Sequence, residues 1–140
     1  MVDRVLVPVD DSPLSSRALE FALAEHADAE IVALHVIDYI ETSYGGRAML
    51  GWEELETRAR ERSEAILADA RERAESHDIE LTTVSKIGRP ERVVVDYVEA
   101  HDIDLVVIGS HGRSIVERVL LGSVAETVAR RSSVPVTLVR

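Results

Sequence analysis

Two groups of residues in this 140-residue chain have types and spacing suited to chemistry. The first is a glycine series: Gly109 and Gly112, then nine residues, then Gly122-Ser123. Glycine lets the backbone approach a phosphate closely, and successive free N–H groups form an anion-binding nest. A helix opening at Ser123 would add unpaired donors and the positive end of its dipole. Such a loop can hold a polyphosphate without a lysine. The second group is the acidic pair Asp10-Asp11, which closes an apolar run. Asp10 is suited to sharing a Mg²⁺ ion, although both acids also suit the end of a strand and the start of a turn. Asp11 is expected to face solvent. His111 is the one histidine inside a candidate site. Ser123 and Glu126 also fit an S-x-x-E capping box, which is compatible with a phosphate at the same helix end.

Other phosphate-binding schemes are excluded. A P-loop needs G-x-x-x-x-G-K-[ST], and the single lysine, Lys86, stands before Gly88. A Rossmann fingerprint needs G-x-G-x-x-G after the first strand, where there is no glycine. A phosphoaccepting receiver domain needs an aspartate closing strand three and a lysine closing strand five. Here stand Lys86-Ile87-Gly88 and an ending at Val139-Arg140. With no cysteine, thiol chemistry and cysteine-based zinc sites are excluded as well. No base or arginine finger is evident that would activate water on a nucleotide.

The elements that must position these residues alternate along the chain. Apolar runs at Arg4–Val9, Ile31–Ile37, Leu81–Ile87, Leu105–Ile108 and Val134–Val139 read as strands. Ser12-Pro13 signals a helix start, with Ser12 as N-cap, running to about His26. Trp52 to His77 reads as a long helix with a buried stripe of Leu55, Ala59, Ile66, Ala70 and Ala74. Its exposed side is expected to pair Glu54 with Arg58, Glu56 with Arg60 and Asp69 with Arg73. Gly88-Arg89-Pro90 opens a helix to about His101, and the last helix spans about Ser123 to Arg131. This order predicts an α/β fold, a single domain over residues 1–140 with a parallel sheet and helices on both faces. Ligands in such sheets bind beyond the carboxyl ends of the strands, where Asp10 and Gly109 lie. His35 falls in a strand, and His26, His77 and His101 near helix ends, where structural roles are expected.

The loop from Asp38 to Gly51, with Tyr39, Tyr44, Gly45-Gly46 and Met49, reads either as a lid over the site or as a disordered connection. The last strand, with Pro135, suits a sheet edge. Pairing of Val134–Val139 with its symmetry mate would cover that edge in a homodimer.

Twenty-six acidic residues against sixteen basic ones give a net charge of −10, and fifteen of the sixteen are arginine. Nucleic-acid binding, which needs a basic footprint, is disfavoured. The acidic surface suits either plain solubility or adaptation to high salt, where screening relieves its self-repulsion. No apolar run approaches the roughly 20 residues of a membrane span, so no membrane insertion is expected. The opening residues lack a secretory pattern, and a cytoplasmic location is expected.

The run Gly109-Ser110-His111-Gly112-Arg113 through Leu121-Gly122-Ser123-Val124-Ala125-Glu126 resembles the G-x2-G-x9-G-[ST] signature of the universal stress protein family. Four further blocks are similar, in order: Val5 to Asp10 with Ser12, Leu34-His35-Val36, Gly88-x-Pro90 and Pro135-Val136. The resemblance spans the whole chain. It implies an open five-stranded sheet in the order 3-2-1-4-5, dimers through the last strand, and bound ATP, with AMP or ADP as alternatives. Carried over by position, Pro8, Val36 and Ile108 would flank the adenine, with Asp10 near the ribose and the bound Mg²⁺ or Mn²⁺. Gly109, Gly112, Gly122, Ser123 and Val124 would supply donors to the phosphates, and Arg113 could add a charge; His111, from its place in the loop, is either a phosphate contact or an ordinary exposed histidine. The implied role is an ATP-binding stress-response regulator with an unidentified downstream protein partner. A slow or partner-dependent ATPase is the enzymatic alternative.

Overall fold

The β-branched runs form five strands and the periodic segments four helices, among the residues that the computed structural model describes: 2–39, 51–111 and 122–140. In chain order these are β1 (Arg4–Pro8), α1 (Pro13–Glu25), β2 (Glu30–Ile37), α2 (Trp52–Glu75), β3 (Thr82–Ile87), α3 (Pro90–Ala100), β4 (Leu105–Gly109), α4 (Ser123–Arg131) and β5 (Val136–Val139). All pairings are parallel and the sheet order is β3-β2-β1-β4-β5. The implied 3-2-1-4-5 order is therefore present, with β3 and β5 at the edges.

Alternate residues of the central strands serve two cores, which is why β1, β2 and β4 are apolar on both faces. Val5, Val7, Ile31, Ala33 and Val107 pack against Leu19 and Leu23 of α1 and Leu67 and Ala70 of α2. Leu6, Val32, Leu34, Val106 and Ile108 pack against Val94 and Val98 of α3 and Ala125 and Val128 of α4.

Helix α1 starts as the sequence predicts. Ser12 is its N-cap in extended backbone, Pro13 follows, and Ser12 Oγ accepts the Ser15 N–H at 3.2 Å. In α2 the buried residues are Leu55, Ala59, Ser63, Leu67, Ala70 and Ala74, while Ile66 is half-buried. Glu56–Arg60 and Asp69–Arg73 pair as expected, at 3.4 and 2.9 Å. The Glu54–Arg58 pair is not among the ion pairs of the described residues. Both α2 and α3 are followed by a similar run, His77-Asp78-Ile79-Glu80-Leu81 and His101-Asp102-Ile103-Asp104-Leu105. Each places its aspartate at positive φ, 56° for Asp78 and 53° for Asp102, a region that aspartate tolerates better than most side chains. Strand β5 starts at Val136, two residues later than predicted, while Val134 packs on the α3–α4 core.

At the amino ends of the strands, polar groups are tied to one another. The Asp104 carboxylate accepts the N–H groups of both Asp3 and Arg4 at 2.9 Å. The Arg4 guanidinium donates to Glu30 at 3.1 Å and to the His101 carbonyl at 2.6 Å.

Candidate functional site

The opposite, carboxyl end of the sheet gathers most of the residues that the sequence singled out. Strand β1 ends at Pro8, and the turn to α1 is fixed by hydrogen bonds from both sides. Asp10 N–H donates to Ser15 Oγ at 2.8 Å, and Ser12 N–H donates to Asp10 Oδ1 at 2.8 Å. The second interaction is the local turn that aspartate favours, so one carboxylate oxygen of Asp10 has a structural task. Among the described residues, Oδ2 has no hydrogen-bond partner. The turn reading of Asp10 is therefore observed, with its second carboxylate oxygen left over.

Asp11 does not simply face solvent. Its carboxylate accepts a hydrogen bond from Arg62 Nη2 of α2 at 2.8 Å. The next residue on α2, Ser63, is buried, and its Oγ lies 2.7 Å from His35 Nδ1 and 3.1 Å from Ser85 Oγ. Burial lowers the His35 pKa from its usual 6.5, and nearby Arg62 lowers it further, against the opposing pull of Asp10 and Asp11. His35 is structural, as expected. Its polar neighbours were missed, yet Ser63 falls four residues after Ala59 on the helix stripe, and that spacing was the available signal.

Strand β4 leads into the glycine series. Gly109 is needed for packing: a Cβ there would lie 3.0 Å from the backbone and Cβ of Leu14 on α1. Ser110 follows, buried, with its N–H donating to the Val139 carbonyl at 2.8 Å. Its own carbonyl accepts the Gly122 N–H at 2.7 Å. That bond seats the start of α4 beside the end of β4, so the two halves of the glycine series meet. It also occupies the Gly122 N–H, the donor that the resemblance assigns to a phosphate.

The predicted capping box is not formed. Gly122 is the N-cap of α4, which moves Glu126 one position beyond the box, and its carboxylate pairs with Arg130 at 3.2 Å. The first bond of the helix runs from Glu126 N–H to the Gly122 carbonyl at 2.9 Å. The N–H groups of Ser123, Val124 and Ala125 therefore stand free of helical partners at the positive end of the helix. Next to Ser110, His111 Nδ1 is buried without a hydrogen-bond partner among the described residues. Pro8, Val36 and Ile108 share one sheet face by strand alternation with Leu6, Leu34 and Val106, on the α3–α4 side. Gly112, Arg113 and most of the predicted lid lie outside the described residues. Of the loop's ends, Tyr39 packs its ring 5.2 Å from that of Trp52.

These donors suit a polyanion carrying a flat apolar group. No cluster of three or more metal-ligating side chains occurs among the described residues. No helix among them is long and apolar enough to cross a membrane.

Comparison with known proteins places the chain in a family. The family model described as the universal stress protein family matches residues 1–140. Universal stress protein MJ0531 of Methanocaldococcus jannaschii is 32% identical over 139 residues, covering 98% of this chain and 81% of the relative. The structure of universal stress protein UspA from Lactobacillus plantarum superimposes with a TM-score of 0.83 at 27% identity, covering 99% of this chain and 98% of the other. A universal stress protein crystallised in complex with cAMP gives 0.74 at 26% identity, covering 99% and 97%.

Proposed function

The chain belongs to the universal stress protein family, and from that premise we propose that it binds an adenine nucleotide at the carboxyl ends of β1 and β4, as an ATP-responsive regulator. The observation that carries the proposal is the start of α4. Three helix N–H groups, at Ser123, Val124 and Ala125, are presented beside β4 by the Ser110–Gly122 hydrogen bond. A helix N-terminus held in this way is an anion site. The orphaned Nδ1 of His111 adds a polar group able to meet the same ligand. Pro8, Val36 and Ile108 offer an apolar wall for the base, and the cAMP complex of a relative supports that choice of ligand class.

Asp10 Oδ2 is the carboxylate oxygen available to a Mg²⁺ or Mn²⁺ ion brought in with the phosphates. Such an ion would neutralise phosphate charge. Arg113 and Gly112 are assigned to the phosphate side by their place in the signature, and residues 38–51 to a cover over the base. The edge strand β5, with Leu138 37% exposed, is assigned to a homodimer. The acidic surface is assigned to a high-salt cytoplasm.

Calorimetric titration with ATP, ADP, AMP and cAMP tests the proposal, with released phosphate followed in the same samples. Saturable binding of one adenine nucleotide per chain is expected. No heat with any of the four at millimolar concentration rejects it.

A further inference from the structure

Arg62 reaches the edge of the site from a distant part of the chain. Its guanidinium meets Asp11 at 2.8 Å, while the adjacent Ser63 fastens the same turn of α2 to His35 of β2. The turn holding Asp10 and Asp11 is itself fixed by Ser12 and Ser15. Arg62 and Asp11 are 38% and 44% exposed, and ion pairs of that exposure contribute little to stability. What the pair does change is the local charge. Asp11 is next to Asp10, on the turn that the nucleotide reading places near the phosphates, and Arg62 brings a positive charge to it.

We propose that Arg62 is a positioning residue of the nucleotide site: by holding Asp11 it offsets the second carboxylate of the Asp10-Asp11 pair, so that the site tolerates a triphosphate. This inference rests on the nucleotide reading above. Its signature is dependence on ligand charge, because repulsion scales with the number of phosphate charges and is only partly screened at low salt.

The test compares wild type, Arg62→Gln, Asp11→Asn and the double variant, each titrated with ATP and with AMP without divalent cations at low salt. Arg62→Gln is expected to weaken ATP about fivefold and AMP less than twofold. Adding Asp11→Asn is expected to restore ATP binding to within about twofold of wild type. Equal losses for ATP and AMP, or no loss for either, overturn the inference while leaving nucleotide binding intact.

If wild type binds neither nucleotide, the nucleotide reading has failed, and the triphosphate role falls with it. His35 then reports separately whether Arg62 offsets Asp11. Proton NMR should show its midpoint raised in Arg62→Gln and lowered again in the double variant, since Arg62 opposes protonation and Asp11 favours it. An unchanged midpoint overturns the charge-offsetting part as well.

Discussion

The two ends of the sheet are built from similar materials and finished differently. At the amino end, Asp104 takes up the N–H groups of Asp3 and Arg4, and Arg4 in turn bridges Glu30 and the His101 carbonyl. At the carboxyl end, the start of α4 keeps three N–H groups without helical partners, and His111 keeps a buried nitrogen unmatched among the described residues. A buried polar group left unmatched is costly, and His111 Nδ1 supplies one at the end where the nucleotide is proposed to bind. One end is tied to itself, and the other is the end proposed to receive the nucleotide.

Substitutions should separate the two. The largest effect is expected from Ser123→Asp. An acid in the first turn favours the helix dipole, so thermal stability should hold or rise slightly. The same charge occupies the anion site, and ATP affinity should fall at least about 30-fold, roughly 2 kcal/mol. Parallel loss of stability would make this end structural after all. Next comes Asp104→Ala, which orphans two N–H groups at the amino end. It should cost about 1–3 kcal/mol in urea unfolding and leave ATP affinity within twofold. A change in affinity as large as that from Ser123→Asp would erase the distinction between the ends.

The smallest effect concerns His35, which packs under α2 near the carboxyl end. Its pKa is lowered in the folded chain, so the unfolded chain takes up a proton first as the pH falls. Its neutral-state contribution is complete above pH 6.5 and is lost as the pH falls from there toward the lower folded value. Unfolding midpoints in urea between pH 7.5 and pH 5 should fall more steeply for wild type than for His35→Gln. Equal slopes would mean that burial of His35 carries no proton linkage.

Much of this organisation was legible in the residues. Ser12-Pro13 marked the start of α1 because both residue types answer the unpaired donors of a first turn. The double-faced apolar runs marked the central strands, and the glycine spacing marked the loop that joins β4 to α4. What stayed hidden depends on placement in space. Asp11 and Arg62 are 51 residues apart, and nothing local announces their pairing. Gly109 invites a phosphate reading, while its immediate constraint is Leu14 across the α1–β4 contact. Ser123 and Glu126 matched a capping box by spacing alone. The helix starts one residue too early for the box, because Gly122 already adopts the extended cap conformation and is anchored on Ser110.

The most direct measurement of the central claim is amide NMR of the full chain during titration with ATP. The N–H signals of Ser123, Val124 and Ala125 should move together and saturate, with Asp10 following, while Asp3, Arg4 and Asp104 stay in place. Saturable shifts confined to the amino end, or none at the start of α4, would contradict the assignment of the nucleotide to the carboxyl end of the sheet.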